Sequence, residues 1–298
     1  MLYLAGMEMM TIAILGGLGS AVGYGLADVF AKKGIDEVGH NRSLVFIYAF
    51  SVLFTLPFLL LDTSWPNFSS RTWLNLAAFA VADFVAYTAL YKAYEIGKVS
   101  IINPITSTYA ILAAIISAIF FQETFGSLKI IALALVMAGI ALASVDLKEL
   151  KDGLQTKDLA KGLPLAVLIF TIYGIYVPFL DQFLAQDGWV ILTLVERFFI
   201  FLLGLFWAKG IKKINLKIER RQTWLALIMV GLLEGVAAMS FNWGISASDQ
   251  TTVVSALGSA YPLFLTIGAY FFLKEKLAIN QYLGTALIVT GVVLVSFA

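Results

Sequence analysis

Residues 100–121 read SIINPITSTYAILAAIISAIFF and residues 252–273 read TVVSALGSAYPLFLTIGAYFFL, two runs of 22 positions without a charged side chain. At 1.5 Å per residue, such a run crosses a hydrocarbon layer of about 30 Å as a helix. A helix is required because lipid offers the backbone no hydrogen-bond partners, so each N–H and C=O must be satisfied within the segment. Overlaid at an offset of 152, the runs bring Ser107 onto Ser259, Tyr109 onto Tyr261 and Phe120 onto Phe272. The match continues through Glu123 on Glu275 and Gly139 on Gly291. A membrane-spanning unit is therefore present twice.

Outward from these stretches the whole chain has the same character. Hydrophobic residues make up 60% of its 298 positions and charged residues 13%, against about 45–50% and about 25% in soluble proteins. The mean hydropathy is +0.91. The alternation of a closed β-barrel is absent. Apolar runs predict ten spans: Met10–Lys32, Ser43–Leu61, Trp73–Tyr94, Val99–Phe121, Leu128–Val145, Gly162–Leu184, Val190–Ala208, Thr223–Gly244, Thr251–Leu273 and Gln281–Phe297. The first has no basic residue before it and is too long for a signal core, so it reads as a span. The expected location is the plasma or inner membrane, as a multi-pass protein.

Other offsets extend the repeat. At 151, Thr72-Trp73-Leu74 falls on Thr223-Trp224-Leu225 and Asp83 on Glu234; at 149, Tyr24-Gly25 falls on Tyr173-Gly174. The chain divides into a first repeat at 1–146, a connecting loop at 147–161 and a second repeat at 162–298. Each repeat holds five spans, an odd number, so the second copy enters the membrane in the opposite sense. The expected fold is an all-α membrane protein with ten transmembrane helices in a 5+5 inverted-topology repeat. Such pairs place a substrate site near the midplane, between the halves.

Lysine and arginine set the orientation. Loops after the odd-numbered spans carry 17 of them, among them Lys32, Lys33, Arg42, Lys92 and the stretch Lys209 to Arg221, while the opposite loops carry only Arg71 and Lys129. This puts the odd loops in the cytoplasm and, with an even span count, both termini outside.

The blocks Asn103 through Phe120, Glu123 and Gly139, and Tyr261-Pro262 through Glu275, Gly284 and Gly291, resemble the EamA-type members of the drug/metabolite transporter superfamily, over almost the full chain. Tyr24-Gly25 and Tyr173-Gly174 stand where that family often has Trp-Gly. Arg197 resembles its arginine on the second helix of a repeat. Tyr48 occupies the equivalent place in the first repeat, and Ala110 stands where Pro262 stands in the second. The resemblance implies a central cavity open to one side at a time, and small metabolites, including amino acids, nucleosides and organic ions, as solutes.

Ionisable residues deep in a span are costly and face a cavity or a partner. Asp83, Tyr87, Tyr91 and Tyr94 follow at helical spacing and share one face. An acid with an aromatic stripe suits an organic cation, through charge and cation–π attraction; the same tyrosines also suit helix packing. Glu234, the counterpart of Asp83, is a second acid deep in its span. Asp83 and Glu234 are the candidates for proton coupling, since protons and solute would compete for one carboxylate. Glu196 and Arg197 are adjacent, point in different directions, and read as a structural interhelical ion pair. Asn103 and Ser107, with Ser255 and Ser259 as counterparts, offer an amide and hydroxyls for solute or for helix contacts. Tyr24, Tyr173 and Tyr176 read as cavity walls. Pro104 and Pro262 each remove a helix hydrogen bond and predict kinks.

The absence of cysteine excludes disulfides and thiolate metal sites. His40 has no metal-ligand companions, so neither metal nor cofactor is expected. Gly17, Gly19 and Gly23 lack dinucleotide-fingerprint spacing and read as a packing face. A net charge of +1 argues against nucleic acid. The partners are a small solute and the bilayer, and the chain is a monomer or homodimer. The reading is a secondary transporter for amino-acid, nucleoside or organic-cation solutes, not an enzyme. The alternatives are a membrane-embedded lipid-modifying enzyme and a non-transporting scaffold.

Overall fold

The computed structural model describes residues 2–60, 64–97, 99–143, 156–185, 188–248, 250–273, 278–295 and 297. Helices account for nearly all of them. They are α1 (Leu2–Val38), α2 (His40–Thr55), α3 (Ser70–Ile96), α4 (Val99–Ser107), α5 (Tyr109–Phe120) and α6 (Ser127–Ala143). Then follow α7 (Thr156–Leu184), α8 (Trp189–Leu205), α9 (Arg221–Ser248), α10 (Thr251–Gly258), α11 (Tyr261–Gly268) and α12 (Ile279–Val295). A 3-10 turn at Leu56–Leu60 extends α2, and π turns at Phe206–Ile211 and Ala269–Leu273 extend α8 and α11. Among the described residues seven helical stretches are long and apolar enough to cross a membrane, and three apolar helices are shorter. The protein is an all-α, multi-span membrane protein.

The helices overrun the expected spans at polar ends. α1 continues to Val38 and α7 begins at Thr156, inside the loop read at 147–161. Residues 147–155 of that loop, and Glu275, lie outside the described residues. At the end of α1, Lys32 bonds Asp36 one turn on at 2.8 Å, a pairing of helix neighbours that supports the added turns at the interface. At α3, the Ser69 hydroxyl accepts from the Thr72 N–H at 3.2 Å and caps the helix start. Gly188, with φ +83°, turns the chain into α8 against Pro66; a side chain there would be strained and would meet the proline ring at 2.5 Å.

Small residues govern how the bundle closes. A Cβ on Gly16 would lie 2.5 Å from the Gly244 Cα, and one on Gly23 would lie 2.6 Å from the Ala237 Cβ. α1 and α9 therefore run in near backbone contact, and the Gly17, Gly19 and Gly23 stripe is a packing face. α3 lies along α7 and α6 along α12. α2 packs on α9 and α8 on α3, while α10 and α11 rest on α1 and α4 and α5 rest on α7.

The two charge-free runs quoted at the outset are both broken helices. At Thr108 the backbone N–H reaches Ile105 O (3.2 Å) and Ile111 N–H reaches Thr108 O (3.0 Å), three residues back in each case. At Ala260 the N–H reaches Leu257 O (3.1 Å) and Leu263 N–H reaches Ala260 O (3.0 Å). The tightened turns thus fall at one offset of 152. The second break precedes Pro262, which cannot donate to Gly258 O and sits in the first turn of α11, where no donor is required. The first falls four residues after Pro104 rather than at it. There the Thr108 hydroxyl also bonds Ile105 O at 2.6 Å.

Candidate functional site

A cavity of about 100 Å³ lies inside the bundle where these helices converge, room for several waters or part of a small solute. α1 contributes Tyr24 and Asp28, and α3 contributes Asp83, Tyr87 and Tyr91. Tyr173 and Tyr176 come from α7, Glu196 and Arg197 from α8, and Glu234 and Asn242 from α9. The two broken helices close it with Thr106 and Tyr109 on one side and Tyr261 on the other.

The charged groups are arranged in pairs with tyrosines and with one another. Asp83, 4% exposed, accepts the Tyr173 hydroxyl at 2.7 Å and the Tyr48 hydroxyl at 3.4 Å. Arg197 donates to Glu234 across α8 and α9, and to the Ser51 hydroxyl at 3.3 Å. Glu196 accepts the Tyr176 hydroxyl at 2.5 Å. Asp28 accepts from Tyr94 at 2.8 Å and from the Asn103 amide at 3.3 Å. The tyrosine rings touch in series: Tyr48 with Tyr87 (5.4 Å), Tyr87 with Tyr91 (5.7 Å) and with Tyr173 (6.5 Å), and Tyr173 with Tyr109 (5.8 Å) and Tyr176 (5.9 Å). All but the tilted Tyr109–Tyr173 pair meet edge to face, a favoured aromatic geometry, so the wall is aromatic, with hydroxyls of Tyr173 and Tyr176 at Asp83 and Glu196.

Of the sequence-derived candidates, Tyr24, Asp83, Tyr87, Tyr91, Tyr173, Tyr176 and Glu234 share this one wall. Asn103, Ser107, Ser255 and Ser259 stand behind it. The Ser255 hydroxyl donates to Thr251 O at 2.6 Å and that of Ser259 to Ala256 O at 2.8 Å, each within its own helix turn. Such back-bonding is the default for a hydroxyl in a buried helix. Asn103 faces Tyr94 and Asp28. The interhelical ion pair of Arg197 is with Glu234, whereas Glu196 meets the Tyr176 hydroxyl and makes no ion pair among the described residues. Glu234 is accordingly not an isolated acid.

Sequence reasoning passed over Asp28, Thr106, Tyr109, Asn242 and Tyr261. Asp28 was legible: it follows Tyr24 by one helical turn, but a span ending at Lys32 put it near the interface. Tyr109 and Tyr261 had a signal too, as matched positions of the repeat.

A multi-span bundle of broken helices around a buried, charged and aromatic hollow is the architecture of a membrane transporter for small solutes. This chain belongs to the EamA-like transporter family of the drug/metabolite transporter superfamily, whose model it matches over residues 11–145 and 160–297. That family comprises transporters, not enzymes. The chain is 23% identical over 284 residues to an uncharacterized transporter of Archaeoglobus fulgidus, covering 95% of this chain and 97% of that protein. A second uncharacterized transporter of the same organism is 26% identical over 278 residues, 92% and 93% of the two chains. A solved crystal structure, described only as that of a protein, superposes with a TM-score of 0.77 at 14% identity, covering 96% of this chain and 97% of the other. That likeness is one of fold.

Proposed function

We propose that the protein is a ten-span, 5+5 inverted-repeat secondary transporter that carries a small organic solute bearing an ammonium group, in exchange for protons, by alternating access. The repeats are 1–146 and 162–298. The mirrored packing supports this: the first helix of each half lies on the third of the other, α1 on α9 and α7 on α3. The matched turns at Thr108 and Ala260 support it too, since a broken helix in each half supplies a place to bend.

The observation that carries the substrate class is the charge balance of the wall. Four carboxyls, Asp28, Asp83, Glu196 and Glu234, face one guanidinium, Arg197. In a low-dielectric hollow such an excess is balanced by protons or by a cationic solute. The stacked tyrosines add cation–π attraction and an apolar surface. Arg197 Nε and Glu234 Oε2 are each buried without a hydrogen-bond partner among the described residues. A solute whose ammonium meets the carboxylates fits the excess of acid.

By the positive-inside count, the loops after odd spans are cytoplasmic and the termini lie outside. The deciding experiment is counterflow in liposomes against organic cations, amino acids and nucleosides, with and without a pH gradient. Preference for a purely anionic solute refutes the reading. So does unchanged transport and pH dependence in both Asp83→Asn and Glu234→Gln.

A further inference from the structure

We infer that Lys129 and Glu123 latch the seam between α5 and α10, and that this latch holds the cavity shut toward one face of the membrane until the two half-helices part. The gating role rests on the transport reading above; the contacts themselves do not.

The broken helices meet at the cavity in two matched places. The Tyr109 hydroxyl, at the start of α5, donates to the Ser255 carbonyl on α10 at 3.4 Å. The Tyr261 hydroxyl, at the start of α11, lies 3.5 Å from the Asn103 carbonyl on α4. Both partners of the second contact stand 152 positions from those of the first, and both tyrosines line the cavity. In the ten-span reading α5 runs from Tyr109 to the loop after the fourth span, and α10 starts from the loop after the eighth. Loops of even number share one face, so this seam leads from the cavity to that face, and the α4–α11 seam leads to the other. Hydrogen bonds this long are weak, and a seam that stays shut needs more.

The α5–α10 seam has more at its far end. Lys129, on the first turn of α6 and only 9% exposed, donates to Glu123 Oε1 at 3.1 Å and to the Gln250 side-chain oxygen at 2.9 Å. Lysine is seldom buried unless it is paired. Its ammonium also lies 5.4 Å from the centroid of the Phe125 ring. The other Glu123 oxygen accepts the Thr252 hydroxyl at 2.6 Å. Gln122 adopts the left-handed conformation (φ +56°) common just past a helix end, and the Glu123 N–H then bonds back to Ser117 O at 3.2 Å. The chain is thereby turned so that its acid meets the first turn of α10.

The placement of charge suits a contact that opens. The ion pair lies within the first half, and the groups that reach it from the second, Gln250 and Thr252, are neutral. Parting the seam therefore exchanges two hydrogen bonds for water and leaves Lys129 with Glu123, whereas separating two buried charges is far costlier. The tightened turns at Thr108 and Ala260 stand at the cavity ends of the same two half-helices. The latch thus grips each half-helix at the end farthest from its bend, where a small rotation moves it most.

The chain has no cysteine, so introduced thiols report the seam directly. Asn242 lines the cavity six positions before the end of α9. A water-soluble maleimide is added to sealed vesicles on the face of the even-numbered loops. Lys129→Met is expected to speed labelling of Asn242→Cys about tenfold, the loss of one charged hydrogen bond. Ile102→Cys, at a position 1% exposed, should stay unlabelled, which excludes general unfolding. If Lys129→Met does not fold, Thr252→Val, which removes one seam contact alone, decides. Unchanged labelling overturns the latch. In a second arm, Glu123→Cys and Thr252→Cys are joined by a short bis-methanethiosulfonate, which should stop counterflow of the organic cations, amino acids and nucleosides above until a reductant frees it. Counterflow that persists through the cross-link refutes the latch and leaves transport standing. Faster labelling in a protein that exchanges none of those solutes refutes transport and leaves the latch.

Discussion

The guanidinium of Arg197 lies over the ring of Tyr48, 5.6 Å from its centroid. The two residues stand 149 positions apart, the offset that lays Tyr24-Gly25 on Tyr173-Gly174. Each reaches an acid on the next long helix: Tyr48 donates to Asp83, and Arg197 to Glu234. One acid is thus met by a neutral phenol and the other by a permanent charge. Matched positions filled with different residue types thus separate an acid met by hydroxyls from an acid held in an ion pair.

That separation predicts unlike outcomes for like substitutions. Asp83→Asn removes a charge hydrogen-bonded by the Tyr48 and Tyr173 hydroxyls, and an amide still accepts from one of them while its NH2 can donate to the other. Thermal unfolding is expected to change little, while exchange of a cationic solute falls at least tenfold, roughly the loss of one charged hydrogen bond of about 1.5–3 kcal/mol. Comparing initial rates with melting temperature in the same preparation checks it.

Glu234→Gln acts the other way, because it removes the one carboxylate that Arg197 bonds directly among the described residues. Breaking a buried pair from one side costs about 3–5 kcal/mol, whereas removing both members is far cheaper. The single variant should melt well below the parent, and Arg197→Met with Glu234→Met should recover most of the difference. Equal melting of single and double variants contradicts the pairing.

The α1–α9 contact gives a prediction about stability alone. Gly16→Leu must push backbone from backbone, since even a Cβ there would lie 2.5 Å from the Gly244 Cα. Gly126→Leu is its control, because nothing lies within 4 Å of a Cβ at that position. Detergent-solubilised protein should elute as a folded species for Gly126→Leu and as aggregate for Gly16→Leu.

Membrane spanning, helix order and the glycine face were legible because they depend on residue type and period, which a sequence states directly. The wall of the cavity was legible where one helix carries several members, as with Asp83, Tyr87 and Tyr91. Partners across helices were not. Nothing in the order of residues says that Arg197 turns to Glu234, because the choice depends on how α8 packs between α3 and α9. Ser255 and Ser259 have the right spacing for a site, yet a carbonyl one turn back lies nearer than any solute. Asp28 was hidden by a span boundary: an apolar count ends the first span at Lys32, whereas the helix runs on past it, with Lys32 bonded to Asp36.

Orientation is the remaining consequence of the charge pattern, and this chain allows a clean measurement because it has no cysteine of its own. Lys213, exposed after α8, belongs to the basic loop, and Arg71, exposed at the start of α3, to the opposite face. Moving several lysines and arginines across a bilayer during insertion is opposed, so the basic loop stays cytoplasmic. A membrane-impermeant maleimide added to intact cells should label Arg71→Cys and spare Lys213→Cys until the cells are permeabilised. The two exposures make accessibility a matter of side rather than burial. Labelling in the reverse order would place both termini in the cytoplasm. The cavity and its acids would be unaffected, since turning the bundle over in the membrane alters no contact within it.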